Sequence, residues 1–306
     1  MSNAVAVFHG NFGRVCLYSM DKAMVPHGHR EGHLIFHVQG PPGEVVVDER
    51  AFPVAPGQAV AISPWQTHYY RPVDLRAPTL ALVLYIRPAW FLEASRRASS
   101  SLRFGRVGVE VTDHLARLVY GAAHAMADPD SDDPMFEDRL CTLTQAAFDQ
   151  SWQWTERGAA FTGPDLPLRD FRIRKAMRTL QERLGDVLEL DDIARGSGLS
   201  RPHFYKLFRT QVGVTPNVYL NALRMERAIG QLTETGAAVT DIGLDLGFSS
   251  QASFSRFFIA NGVVPPSVYR RSAQRVLIHC RASCSPFSDI QKWQETGGYG
   301  DLDRRA

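Results

Sequence analysis

The sequence predicts an α+β protein: an N-terminal β-barrel with flanking helices, followed by an all-α domain of two helical units joined by a helix. Three observations predict it. Residues 14–86 carry short apolar stretches (RVCLYS, HLIFHVQ, EVVVDE, QAVAISP, TLALVLYI) separated by Gly and Pro punctuation such as VQGPPGE and FPVAPGQ, the pattern of a sandwich or barrel. From 169 to about 273 apolar residues instead recur at helical spacing. Inside that second segment one unit occurs twice. A chain of 306 residues has room for two such domains, each with its own core.

After the β-rich stretch, Leu115, Leu118, Val119 and Ala122 predict a helix over 109–126. Leu140, Leu143, Thr144, Ala147 and Phe148 predict another over 135–154, with an Asp- and Pro-rich stretch at 128–134 between the two. These helices either form the seam of a homodimer or pack on the barrel. RGAAFTGPDLPL at 157–168 is Gly/Pro punctuated and reads as a linker. The resulting bounds are 1–156 for the barrel domain, 157–168 for the linker, 169–273 for the helical domain and 274–306 for a flexible tail. His279, Cys280 and Cys284 fall in that tail and are read as part of a loose terminus, not as a metal or redox group.

The repeat pairs DIARGSGLSRPHFYKLFRTQVGVTPNVYL (192–220) with DIGLDLGFSSQASFSRFFIANGVVPPSVYR (241–270). Asp192, Ile193, Gly198 and Ser200 match Asp241, Ile242, Gly247 and Ser249. After one inserted residue, Phe208, Pro216, Val218 and Tyr219 match Phe258, Pro266, Val268 and Tyr269. In each unit a short helix ends near a glycine, which supplies a tight turn. Ser200 is a good N-cap for the next helix, and Ser249 is expected to cap it in the second copy. Phe204, Leu207 and Phe208 form an inward stripe, as do Phe254 and Phe258. The outward face carries Arg201, Pro202, Tyr205, Lys206 and Arg209 in the first copy. In the second it carries Ser250, Gln251, Ser253, Ser255 and Arg256. Helix, tight turn and helix with a polar outer face is the helix-turn-helix, whose second helix enters the DNA major groove. Gln and Arg are side chains that pair bidentately with adenine and guanine edges. Residues 216–233 predict a connecting helix that would hold the two heads about one DNA turn apart, about 34 Å.

Charge agrees with this division. The chain's net charge of +2 averages unequal parts: residues 168–275 hold 16 Lys+Arg against 10 Asp+Glu. A basic excess of this kind points to nucleic acid. No run of 18 apolar residues occurs, so no transmembrane helix and no membrane partner are expected. The N-terminus lacks a basic start and a long apolar core, so a secretory signal is not expected either. Four cysteines (Cys16, Cys141, Cys280, Cys284) are too few for a disulfide scaffold, which fits a reducing cytoplasm.

The motifs DIARGSGLSRPHFYKLF, GVTPNVYL, LRMERAIGQL, VTDIGLDLGFSSQASFSRFF and VVPPSVYR make residues 170–273 resemble the DNA-binding domain of the AraC/XylS family of transcription regulators. The resemblance implies seven helices, with Pro202, Tyr205 and Lys206 entering one groove and Gln251, Ser253 and Arg256 at the corresponding positions in the next. Departures from the family pattern lie in the second copy. Gly262 stands before Val263 where an aromatic before Gly is usual, Ser253 replaces a common aromatic, and Ile259 and Ala260 replace usual basic residues. Phosphate contacts from that unit are expected to be weaker.

The N-terminal part holds VPHGHREGHLIFHVQG. His27, His29, His33 and His37 share parity and would lie on one face of an unbroken strand. Glu31, the acidic residue inside this motif, is expected to point away, which argues against catalysis. With His68 the segment resembles the cupin pattern: His27, His29, Gly40, Gly57, Pro64 and His68 match, and His33 stands where an acid is usual. Regulators of the AraC/XylS type often carry a cupin-like sensor domain, so the two resemblances agree. Converging imidazoles of His27, His29, His33 and His68 can bind a divalent metal such as Zn, Ni or Fe. Alternatively His27, His29, His33 and His68, with Phe36, Trp65 and Tyr70, line a metal-free effector pocket. A third reading leaves them as partly exposed strand residues.

The expectation is therefore a ligand-responsive, non-enzymatic regulator that binds promoter DNA as activator or repressor. A small molecule or metal in the barrel would modulate it, and an activator would also contact RNA polymerase. The alternative is a cupin metalloenzyme or metal sensor with a helical accessory domain.

Overall fold

A computed structural model describes residues 2–94, 102–128, 133, 135–152, 170–186, 189–262 and 264–275. The expected linker at 157–168 lies outside the described residues, as do residues 276–306 of the tail, with His279, Cys280 and Cys284. The N-terminal part contains β1 (Asn3–Gly10), β2 (Gly13–Met20), β3 (Gly32–Gln39), β4 (Gly43–Val47), β5 (Arg50–Val54), β6 (Gln58–Ile62), β7 (His68–Pro72), β8 (Thr79–Ile86), α1 (Pro88–Ala94), β9 (Gly108–Glu110), α2 (Asp113–Ala127) and α3 (Phe136–Trp152). The strands form a six-stranded sheet in the order β1-β2-β8-β3-β6-β9 and a three-stranded sheet in the order β5-β4-β7. The described pairings are antiparallel.

The larger sheet is buried on both faces, which explains why β8 reads TLALVLYI without alternation. Its inner face presents Tyr18, Ile35, Val60, Val83 and Tyr85 to Val45, Val47, Val54 and Tyr70 of the smaller sheet. Its outer face presents Leu17, Leu34, Phe36, Ala61, Leu82 and Leu84 to Leu115, Val119 and Ala122 of α2 and to Leu140, Leu143 and Ala147 of α3. The apolar faces of α2 and α3 are thus used on the barrel. The first of these helices starts later than the periodicity suggests. Residues 108–110 pair with β6 as an edge strand, and the Thr112 hydroxyl then caps α2 by accepting from the Leu115 N–H at 3.3 Å.

The second part is helical among the described residues: α4 (Phe171–Glu182), α5 (Leu190–Gly196), α6 (Arg201–Val212), α7 (Pro216–Glu234), α8 (Val239–Asp245), α9 (Gln251–Gly262) and α10 (Pro266–Arg275). Gly198 and Gly247 take the left-handed backbone (φ 71° and 79°) in the turns that precede α6 and α9. Phe204 and Phe208 are fully buried, as are Phe254 and Phe258, and each pair meets edge to face. Pro216 and Pro266 open α7 and α10 at the first turn, where a missing N–H costs nothing. The 19 residues of α7 span about 28 Å.

The core continues from the barrel into the second helical unit. Strand β1 carries much of that junction. The Ser272 hydroxyl of α10 donates to the Ala4 carbonyl at 2.7 Å, and the Tyr269 hydroxyl lies 3.1 Å from His9 Nε2. The first unit touches the barrel elsewhere, where the ring of Tyr219 in α7 lies 5.3 Å from that of Trp65.

Candidate functional site

Helices α6 and α9 present the same burial pattern, with four matched positions left outward in each. In α6 these are Arg201, Pro202, Lys206 and Arg209, joined by His203. In α9 they are Gln251, Ala252, Arg256 and Ile259. Tyr205, Ser253 and Ser255 are half-buried at the edges of these faces. The structure corrects the alignment of the two units. The Ser250 hydroxyl accepts from the Ser253 N–H at 3.2 Å, so Ser250, not Ser249, caps α9. The inserted residue therefore lies in the turn, and the offset is already 50 at the cap. Arg201 corresponds to Gln251, Pro202 to Ala252, His203 to Ser253 and Lys206 to Arg256. His203 and Ala252, absent from the faces expected from the sequence, are exposed on them.

The polar groups of these faces have exposed local partners. Arg201 reaches Asp191 at 3.2 Å, Gln251 accepts from the Thr240 hydroxyl at 2.9 Å, and Arg256 donates to the Ser253 hydroxyl at 3.3 Å. Exposed contacts of this kind are weak and readily exchanged. Gln251 and Arg256 therefore remain available to an external ligand.

The histidines converge, but not by strand parity. Strand β3 begins only at Gly32, so His27 and His29 sit on the segment before it. His27 instead pairs with His68 through reciprocal backbone hydrogen bonds of 2.9 and 2.8 Å. This brings the rings of His27, His29, His33 and His68 together, with the His27–His68 centroids 4.4 Å apart and the His29–His68 centroids 5.0 Å apart. One ligand nitrogen from each of His27, His29 and His68 lies within 4.8 Å of the others. His33 stacks on Tyr85 at 4.3 Å, and its Nδ1 lies 3.2 Å from His68 Nε2. Burial holds all four imidazoles below their usual range, most strongly at His29, His33 and His68, where the neighbouring imidazoles add to the effect.

Of the other expected pocket residues, Tyr70 does face this interior, its hydroxyl donating to Thr79 at 2.9 Å. Phe36 and Trp65 do not join it. Phe36 has the opposite parity to His33 and packs under the helices. Trp65 adopts a left-handed backbone (φ 65°), and its ring packs with Tyr219. His37 lies beyond the cluster, with Nε2 2.9 Å from the Gly40 carbonyl oxygen. Glu31 is also corrected. With no unbroken strand at that point it turns toward the cluster's edge, its carboxylate 2.5 Å from Arg14 and 3.4 Å from His29 Nδ1. The Arg14 guanidinium in turn lies 3.7 Å from the Tyr85 ring centroid.

Comparison with known proteins agrees with both halves. Residues 14–144 match the AraC-like ligand binding domain and residues 193–272 match a helix-turn-helix domain. The probable transcription factor PqrA of Proteus vulgaris is 33% identical over 112 residues, which are 37% of this chain and 91% of that one. The transcriptional activator AarP of Providencia stuartii is 38% identical over 93 residues, 30% of this chain and 69% of that one. An apo structure of a ToxT variant from Vibrio cholerae superposes with a TM-score of 0.57 at 14% identity, over 87% of this chain and 98% of that one, and so shares the fold. No described helix is long and apolar enough to cross a membrane. The chain belongs to the AraC family of transcription regulators, with an AraC-like ligand-binding domain followed by a helix-turn-helix DNA-binding domain.

Proposed function

We propose that α6 and α9 read promoter DNA in successive major grooves, and that a ligand of the barrel domain changes how α7 and α10 hold them. The observation that carries this reading is the matched outward face of the two helices, each backed by the same buried Phe pair. Gln251 and Arg256 read base edges from α9. Arg201, Pro202, His203, Tyr205 and Lys206 form the reading face of α6. Arg209, together with Ser250, Ser253 and Ser255 around the start of α9, contacts phosphates. Ile259 stands where α6 has Arg209, so the second head contributes less phosphate affinity.

Control by the barrel is supported by its contacts with the reading domain, among them β1 against α10, Trp65 against α7 and the Val25 N–H, which donates to the Ala260 carbonyl of α9 at 3.3 Å. A ligand that binds the two arrangements of these contacts unequally shifts DNA affinity. ToxT of Vibrio cholerae has been solved with an unsaturated fatty acid bound. The shared fold supports a small ligand for this chain's N-terminal domain too. As an activator the chain would also contact RNA polymerase. The test is a titration of the full-length chain on DNA selected from a random pool. Lys206→Ala and Arg256→Ala should each weaken binding by about tenfold. Unchanged binding in both variants overturns the reading.

A further inference from the structure

We propose that His27, His29 and His68 form a site for a divalent first-row transition-metal ion, and that this ion is the signal the barrel passes to α7. The proposal rests on the reading of the barrel as a sensor and names its ligand. The first support is convergence, three ring nitrogens within 4.8 Å of one another. The second is orientation. Nδ1 of His27 lies 2.9 Å from the Val25 carbonyl oxygen, Nδ1 of His29 lies 3.1 Å from that of Glu31, and Nδ1 of His68 lies 2.8 Å from that of Gln66. A carbonyl only accepts, so in each neutral ring the proton sits on Nδ1 and the lone pair on Nε2. Three histidines of one tautomer, each fixed by a backbone carbonyl two residues away, is how metal-ligating imidazoles are held.

His29 Nε2 is buried with no hydrogen-bond partner among the described residues, and so is His33 Nε2. Buried polar atoms left this way call for an ion or a water. His33 Nδ1–H donates to His68 Nε2, and an ion would exchange that hydrogen bond for a metal–nitrogen bond.

Size separates an ion from an organic ligand. Two small cavities flank these rings, one of about 20 Å³ lined by His27, His33, His68, Tyr70 and Tyr85 and one of about 40 Å³ lined by His27, His29 and Val218; each has room for a water or an ion and is far below the volume of an organic effector pocket. An all-imidazole set selects Zn²⁺, Ni²⁺ or Co²⁺ over Mg²⁺ and Ca²⁺.

The route to α7 is short. Gly28 lies between two of the ligands, and a Cβ there would stand 3.5 Å from Cγ1 of both Val214 and Val218. The Trp65 N–H, three residues before His68, donates to the His29 carbonyl at 2.9 Å, while the Trp65 ring meets Tyr219. A tetrahedral ion with metal–nitrogen bonds of about 2.0–2.1 Å needs its ligand nitrogens about 3.4 Å apart. Drawing the nitrogens in to that spacing shifts both ligand segments, and each of them touches α7 through Gly28 or Trp65.

The test uses full-length protein freed of metal by a chelator. Zn²⁺ is titrated calorimetrically and Co²⁺ by its visible absorption, and DNA affinity is measured with and without Zn²⁺. Expected are one equivalent bound, a higher Tm with Zn²⁺, and a change in DNA affinity of about fivefold or more. His29→Ala and His68→Gln should lose all three effects, whereas Arg256→Ala should keep the metal uptake. Mg²⁺ should give none of them. Less than a tenth of an equivalent bound, or uptake unchanged in both histidine variants, overturns the site. Full occupancy with DNA affinity unmoved overturns its role as the signal. Metal-free wild-type protein that still binds selected DNA shows that such a failure belongs to the metal and not to the DNA reading.

Discussion

The hydroxyl of Tyr269 lies 3.1 Å from His9 Nε2, joining the last described helix of the DNA-binding domain to the first strand of the barrel. Its counterpart in the first unit, Tyr219, also meets the barrel, through Trp65. One duplicated tyrosine thus marks both junctions. Burial, aided by the Arg14 and Arg87 charges, lowers His9 to a pKa of about 4 from its usual 6.5, so the imidazole that meets the tyrosine hydroxyl is neutral. Tyr269→Phe should cost about 1 kcal/mol of stability and leave DNA contacts intact. Urea unfolding beside a DNA titration checks both outcomes.

The same histidine sets a pH dependence. The unfolded chain takes up the proton first, near pH 6.5, while the folded chain resists it down to about pH 4. The contribution of a neutral His9 is therefore present above pH 6.5 and lost progressively between 6.5 and 4. Lowered values at His27, His29, His33 and His68 act in the same direction. Tm measured from pH 7.5 to 4.5 should fall, and His9→Asn should fall less steeply than the wild type. Parallel curves would remove His9 from this account.

Phe204 and Phe258 each back an outward face and are fully buried. Truncating either to Ala should cost about 3–5 kcal/mol of stability. A smaller loss in denaturant melts would mean that the unit can collapse around the gap.

Arg256 and Ile259 lie on one exposed face of α9. Arg256→Ala should cost about 1–3 kcal/mol on selected DNA and relax the sequence preference beneath it. Ile259→Arg should instead tighten binding to every sequence and steepen its salt dependence. Repeating the selection with each variant distinguishes the two roles.

The inward faces of α2 and α3 are used on the sheet. A homodimer seam on these helices would have to employ their outward faces. Sedimentation velocity at micromolar chain tests it, and a strict monomer rules the seam out.

The two-part architecture was legible because both periodicities are strong and the helical unit is duplicated. The inner and outer faces of β3 and β8 were not, since a strand buried on both sides shows no alternation. The histidines converge for a reason parity does not capture. His27 and His29 precede β3, and it is the His27–His68 backbone bridge that assembles the cluster. Trp65 resembled a pocket aromatic, and only its ring contact with Tyr219 shows that it packs with α7 instead. The junction of α10 with β1 was hidden because Tyr269 and Ser272 look like ordinary helix residues until the fold brings them to His9 and Ala4.

The most direct test of the central claim, two reading helices on one face of DNA, is a methylation-protection footprint of the full-length chain on a selected site. Two protected major-groove patches about 34 Å apart are expected. Lys206→Ala should weaken one and Arg256→Ala the other. A single patch, or equal loss of both in either variant, would contradict the account.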